Sequence, residues 1–348
     1  MMESYRTMYL QAVDRTAPGY LGSFNRLMHK TELLGPEFKD IVRPNNDTMY
    51  SLAWLDLRAQ PIVITIPEVG DRYFSVQLVD MFTHNLGCLG TRATGGESGS
   101  SVIAGPQWQG TRPGDTKAGF RCESDFGYCI RRIEVRGPDD VAAVRELQKR
   151  ARLTPMNVFL GRSRIPAANG ITFPAYDALK AKSAGFIDLF NFLLAQVAIV
   201  PEERALMDRF AKIGVRPGAQ AASLALTPEL RDAVDAGVGK GIVALSEAAA
   251  DPSKLEGVTV RADRGWEGVI GLFGSGAAMR PHYLARAVAA MVGLYGNDAA
   301  EAYYPVGSRD ASGNLLDGSK HRYLMRFEKD DMPEVDAFWS ITMYSLPD

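Results

Sequence analysis

The apolar positions along the chain change their period twice. From Val42 to Val135 they fall in short runs separated by Gly, Pro, Ser and Asp, the signature of strands. "TMYSLAWLDL", beginning at Thr48, is β-branched, aromatic and apolar on both faces, as a central strand would be. "PIVITIP" sets Ile62, Ile64 and Ile66 on one face between two prolines. "RYFSVQLVDMF" alternates, with Phe74, Val76, Leu78 and Phe82 on one side, and "SSVIAGP" and "GYCIRRIEV" continue the series. Strands at this spacing predict a sandwich or barrel rather than βαβ units.

Helical spacing then takes over. "GPDDVAAVRELQKRA" opens with Pro138 and two acids near the positive end of a helix dipole. "SAGFIDLFNFLLAQVAIV" reads as a buried helix ended before Pro201, and "PEERALMDRFAKIGV" lines up Leu206, Phe210 and Ile213. "TPELRDAVDAGV" has Thr227 as its N-cap. "HYLARAVAAMVGLYGN" predicts a stripe of Leu284, Val288, Met291 or Val292, and Tyr295, closed by Gly296. After Tyr304 strand signals return, with strands expected at Arg322–Phe327 and Ala337–Ser345 around the turn "LDGSK". At the other end Met2, Tyr5, Met8 or Tyr9, and Ala12 or Val13 place the first residues inside an amphipathic helix without a cap. Both ends read as clipped, and the two C-terminal strands are expected to leave unpaired edges through which copies could associate.

Composition changes this picture little. The chain has 348 residues, 46% hydrophobic and 23% charged, with net charge −2. That length favours two or three domains, and the charge balance argues against nucleic acid as partner. No run of eighteen apolar residues occurs, so no transmembrane segment is expected, and "MMESYRTMYLQAV" is no signal peptide. Cys88, Cys122 and Cys129 are too few and too irregularly spaced for a disulfide framework; small buried thiols are the simpler reading.

Candidate chemistry gathers at two places. "RPNNDTMY" puts Arg43, Asn45, Asn46, Asp47 and Tyr50 at the start of the first long strand. Such residues satisfy the amides of a turn, with Asp47 itself expected to accept hydrogen bonds there. They could equally form a polar cluster in which Asp47 is an acid/base group. "LVDMFTHNLGCLGTR" holds Asp80, His84 and Arg92. Asp80 and His84 would lie about 13 Å apart on an extended strand, beyond hydrogen-bond reach unless the chain turns between them. His84 is nonetheless the best-placed base among His29, His84, His282 and His321.

No metal motif is present, and no cofactor is expected. "DASGNLLDG" lacks the alternating oxygen ligands of a calcium loop and reads as a turn. "GVGKG" lacks the spacing of a phosphate loop, and Ser98 and Ser100 lack the strand-turn-helix context of a hydrolase nucleophile. Trp54, Tyr73, Trp108, Trp266 and Trp339 could stack on sugars but read singly as core.

Longer stretches carry a family resemblance. "RPNNDTMYSLAWLDL", "RYFSVQLVDMFTHNLGCLGTRATGG" and "GPDDVAAVRELQKRARLTP" resemble the DUF1254 domain. "HYLARAVAAMVGLYGNDAAEAYYP", "LDGSKHRYLMRF" and "AFWSITMY" resemble the start of DUF1214, which commonly follows it. The resemblance implies a β-sandwich, a helical insert and a jelly-roll-like β domain, in bacterial proteins that often carry a secretory leader and extend beyond the last of these segments. It names no reaction and leaves the compartment open. The expected architecture is an α+β multidomain protein: an N-terminal helical segment (1–41), an antiparallel β-sandwich (42–137), an α-helical middle domain (138–280), and an incomplete jelly-roll-like β domain (281–348).

Two functions survive. One is a hydrolase acting on a polar ligand such as a glycan, amide or ester, using Asp47 and His84 as catalytic groups. Arg43, Asn45, Asn46, Tyr50, Asp80, Arg92 and His321 would then bind substrate. The other is a non-catalytic module that binds a carbohydrate or a partner protein.

Overall fold

The computed structural model describes residues 1–35, 44–263, 265–330 and 332–344. Twelve strands are defined among them: β1 (Met28–His29), β2 (Thr48–Asp56), β3 (Ile62–Ile66), β4 (Phe74–Asp80), β5 (Asn85–Gly90), β6 (Gly99–Ala104), β7 (Ala118–Arg121), β8 (Phe126–Glu134), β9 (Arg152–Pro155), β10 (Thr259–Asp263), β11 (Trp266–Ile270) and β12 (Val306–Gly307). The α-helices are α1 (Met2–Met8), α2 (Val141–Arg150), α3 (Met156–Phe159), α4 (Phe186–Leu194), α5 (Arg204–Phe210), α6 (Pro228–Ala250), α7 (Gly276–Met279) and α8 (Tyr283–Val292). The protein is α+β.

Two sheets form the N-terminal sandwich, one in the order β1-β2-β8-β4-β5 and one in the order β7-β6-β3-β9. Side-chain alternation explains their stacking. Met49, Ala53 and Leu55 of β2, Phe74, Val76 and Leu78 of β4, and Cys129 and Ile133 of β8 meet Ile62, Ile64 and Ile66 of β3 in the inter-sheet core. The opposite face of the same sheet is also covered. Tyr50, Leu52, Trp54, Phe126, Tyr128 and Ile130 pack against Tyr5 and Met8 of α1, Leu193 of α4 and Tyr295. Burial on both sides is why β2 is apolar throughout. The fully buried Arg131 faces the inter-sheet side, its guanidinium near the Leu147 carbonyl at 3.4 and 3.5 Å, and burial pulls it down to about 10.

Several details depart from the sequence-based expectations. β6 and β7 pair in parallel, because the long connection between them lets the chain return in the same direction. The fourth strand of that sheet, β9, comes from beyond α2 and pairs with β3. Among its described residues the N-terminal segment is helical only from Met2 to Val13, where α1 continues into a π-helical turn. The middle region carries the hairpin β10–β11, extended by β12. "GVGKG" lies inside α6, far from any phosphate-loop geometry.

The C-terminal expectation needs the largest revision. Neither 322–327 nor the described part of 337–345 forms a strand. Leu324 is 92% and Met343 95% exposed, so no neighbouring strand covers these side chains. Alternation alone does not make a strand without a partner ladder. The segment is anchored by side chains instead: Phe338 meets Tyr73 edge-on at 5.4 Å, and the Tyr344 hydroxyl donates to the Pro44 carbonyl at 2.9 Å. The proposed association through paired β edges here loses its structural basis.

Candidate functional site

The best-defined cluster of chemistry-bearing groups lies where β4 turns into β5. Four residues, Met81 to His84, connect the strands, with Thr83 at φ 69°. The Thr83 amide donates to the Asp80 carbonyl at 3.1 Å and the Asp80 amide to the His84 carbonyl at 3.1 Å. This tight reversal folds His84 back onto Asp80. The His84 amide donates to Asp80 Oδ1 at 2.9 Å, and His84 Nδ1 stands 3.4 Å from Asp80 Oδ2. The separation expected of an extended strand is thereby removed.

Glu123 completes the group. It precedes β8, whose first residues run beside the end of β4: Gly127 pairs with Asp80. Glu123 Oε2 lies 3.9 Å from His84 Nδ1, while Arg280, just beyond α7, donates to Glu123 Oε1. That bond holds the Arg280 guanidinium above its ordinary range. The phenyl ring of Phe82 stacks on the imidazole, centroids 5.5 Å apart and planes 19° from parallel. Gly276 closes the cluster: a Cβ there would fall 3.2 Å from His84 Nδ1 and 3.6 Å from Glu123 Oε1. The Asn85 amide donates to the Gly274 carbonyl at 2.9 Å, tying the same loop to the hairpin.

Burial makes the arrangement unusual. Asp80 and His84 are each 2% exposed, yet among the described residues Asp80 Oδ2 and both ring nitrogens of His84 find no hydrogen-bond partner. Such groups normally find partners, because an unsatisfied buried polar atom costs about 1–3 kcal/mol. Glu123 is only half-buried, with 31% of its side chain exposed, and marks the side from which solvent reaches the cluster.

The other candidates lie elsewhere. Of the three residues expected to satisfy the turn, Asn45 takes its amides: its Oδ1 accepts from the Asp47 and Thr48 amides at 3.1 and 3.0 Å and from the Thr48 hydroxyl at 2.8 Å. The Asp47 carboxylate also accepts, as expected, but from a side chain, the Ser340 hydroxyl. Asp47 and the exposed Asn46 line a cavity of about 540 Å³ with Glu32, Leu33, Val135 and Pro138. Tyr50 is buried beneath the guanidinium of Arg132, 5.3 Å from its ring centroid. Arg92 pairs with Glu301 at 2.7 Å, and Tyr73 donates to the other oxygen of that carboxylate at 2.9 Å. His321 sits exposed after the Asp317–Lys320 turn, and Arg43 lies outside the described residues.

Asp47 and His84 occupy opposite ends of the sheet. Thr48 pairs with Glu134 and Asp80 with Gly127, seven positions away along β8. At ~3.4 Å per residue that is roughly 24 Å, too far for one site. Glu123 was missed because only the non-local pairing of β8 with β4 brings it to His84. Nothing in "RCESDFG" announces it.

The distinction between Asn45 and Asp47 is measurable. Asn45→Ala removes three acceptor contacts and is expected to lower stability by about 1–3 kcal/mol. Asp47→Asn keeps an oxygen for Ser340 and should shift the urea midpoint little. Equal losses in the two variants would contradict this assignment.

Known proteins agree with the fold and add no reaction. Comparison with curated proteins finds no match. The VPA0106 protein from Vibrio parahaemolyticus, a structural-genomics crystal structure, is similar with a TM-score of 0.68 at 23% identity, covering 92% of this chain and 70% of that one. That likeness concerns the fold alone. An uncharacterized protein from Burkholderia cenocepacia gives a TM-score of only 0.27 at 16% identity, over 48% of this chain and 42% of that one, and carries no argument. Residues 24–155 match the family model "Protein of unknown function (DUF1254)", and residues 301–348 match "Protein of unknown function (DUF1214)". With both matches in family order, the chain belongs to the DUF1254/DUF1214 proteins.

Proposed function

We propose that this protein is a hydrolase of a polar substrate, an amide, ester or glycan, with its reacting groups at Asp80, His84 and Glu123. The observation that carries this reading is the buried imidazole of His84, without a hydrogen-bond partner among the described residues and held 3.4 Å from a buried carboxylate. A base oriented by a carboxylate is the arrangement that general base catalysis requires. For an amide or ester, His84 would take a proton from water as the water oxygen bonds to the carbonyl carbon. Asp80 would stabilise the imidazolium so formed. The proton would then pass to the departing nitrogen or oxygen as its bond to carbon breaks. Arg280, already hydrogen-bonded at the cluster's exposed side, is placed to offer N–H groups to the developing oxyanion.

The test is a panel of amide, ester and glycoside substrates with the wild-type chain, His84→Gln and Asp80→Asn. Turnover is expected to fall about 100-fold or more in each variant, while the thermal melt of a folded variant stays close to wild type. Saturable binding of panel compounds without turnover by the wild-type protein would replace this reading with a non-catalytic binding module.

A further inference from the structure

We infer that Asp80, His84 and Glu123 form a binding site for one divalent transition-metal ion of the zinc or manganese class. The site uses the same cluster as the hydrolytic reading but does not depend on it.

Three observations converge. The first is spacing. A tetrahedral ion with bonds of ~2.1 Å holds its donors about 3.4 Å apart. His84 Nδ1 lies 3.4 Å from Asp80 Oδ2 and 3.9 Å from Glu123 Oε2, and the three donor atoms all lie within 4.8 Å of one another. The second is orientation. Each carboxylate has one oxygen fixed by the protein and the other turned inward: Asp80 Oδ1 accepts the His84 amide, and Glu123 Oε1 accepts Arg280. The His84 ring is fixed by its stack on Phe82. This is how metal ligands are usually oriented from behind. The third is that, among the described residues, the inward-facing Asp80 Oδ2 and His84 Nδ1 have no hydrogen-bond partner although both are buried.

Charge and ligand type narrow the occupant. Two carboxylates against one arginine leave the cluster formally negative when the imidazole is neutral, which favours a cation. Imidazole nitrogen with carboxylate oxygens suits zinc or manganese better than the all-oxygen shells of calcium or magnesium. Three protein ligands also leave a coordination position open on the Glu123 side, where a bound water would be acidified. Cys122 stays out of the ligand set: its sulfur faces Ser124 Oγ at 3.3 Å and the Phe126 carbonyl at 3.6 Å, away from the three donors.

The experiment is to strip the purified chain with a chelator and titrate it calorimetrically with zinc, manganese, calcium and magnesium chlorides. Expected is one zinc or manganese ion per chain, with affinity reduced at least 10-fold in Asp80→Asn, His84→Gln and Glu123→Gln. A His29→Gln/His282→Gln/His321→Gln variant should bind like wild type. Glu123 is half-buried, so Glu123→Gln keeps the test sharp if the two buried variants fold poorly. Cobalt(II) should give a visible spectrum without thiolate charge transfer, and that spectrum should change in Glu123→Gln. No uptake of zinc or manganese, unchanged affinity in folded Glu123→Gln, or binding lost in the triple histidine variant would each overturn the site. Metal binding without turnover would remove the hydrolytic reading and leave the ion site standing. Turnover by metal-free protein that takes up no ion would do the reverse.

Discussion

Stability is expected to fall steeply as pH rises above 9. The side chains of Cys122 and Cys129 are fully buried, and burial raises each thiol from 9.0 to about 12. Below pH 9 both the folded and unfolded chains hold these protons, so the two groups contribute nothing to the pH dependence. Between pH 9 and 12 the unfolded chain releases them while the folded chain keeps them. The unfolded state then binds fewer protons, and stability falls with rising pH. Each group contributes about 1.4 kcal/mol per pH unit, so the pair gives roughly 2.7. Tyr5, Tyr73 and Tyr295, all raised mainly by burial, act in the same sense above pH 10. Arg131 opposes them: it is lowered from 12.5 to about 10, so above pH 10 the folded chain sheds a proton the unfolded chain retains. One opposing group leaves the sum strongly negative. Urea midpoints measured from pH 8 to 11 should be level to about pH 9 and then drop. Cys122→Ala/Cys129→Ala, whatever its stability at neutral pH, should show a shallower drop. A midpoint constant from pH 8 to 10.5 would refute the account.

Trp54→Ala should be the most damaging single substitution on the helical side of the sheet. The Trp54 ring is 3% exposed, stacks on Tyr128 at 4.3 Å with planes 20° apart, and meets Tyr295 edge-on at 6.3 Å. Its Nε1 donates to Gln11 Oε1 at 2.9 Å, coupling the sheet to the N-terminal helical segment. Truncation to alanine leaves a large cavity, costing about 3–5 kcal/mol, and strands a buried acceptor for about 1–3 kcal/mol more. For a chain of this size that is a melting-point drop on the order of 10 °C. Trp54→Phe retains the stack, loses the hydrogen bond, and should lie between alanine and wild type. Limited proteolysis of Trp54→Ala should cut first near residues 14–20, where the first helical segment would detach. A melt within 2 °C of wild type would mean that the ring is not the joint described here.

Local patterns were legible wherever one chain segment carries its own reason for folding. The two-faced apolar run from Thr48 correctly marked a strand covered on both sides, and Ile62, Ile64 and Ile66 share the face they were given. Thr227 caps α6 by accepting from the Leu230 amide. What failed depended on partners. The stripe on α8 was right only in part: Val288 is buried as expected, but with Ala285 and Ala289, while Leu284, Met291 and Val292 are 43–48% exposed. Small residues face the core there because α6 packs close against α8. The chain leaves the helix at Gly293, before the expected Gly296, and Tyr295 turns into the sheet-covering cluster with φ 67°. The hairpin β10–β11 escaped notice because β10 is exposed or half-buried throughout and β11 buries only Gly268, which leaves a faint alternation. The candidate site was half legible. His84 and Asp80 were visible as a pair, but their contact needs the reversal at Thr83, and Glu123 needs the strand order.

That strand order also governs what the chain meets during synthesis. Thr48 waits for Glu134 and Asp56 for Phe126, so β2 leaves the ribosome 70 to 86 residues ahead of its partner. At ~5–20 residues per second, a doubly apolar strand spends roughly 4 to 17 s without the neighbour that will cover its edge. β4 meets β5 sooner, across a four-residue turn, and can form a hairpin first. β8 then has to enter between two segments already made, closing the sheet in a single late step. The nascent chain is therefore most exposed to chaperones and to its own copies just before residue 134 emerges.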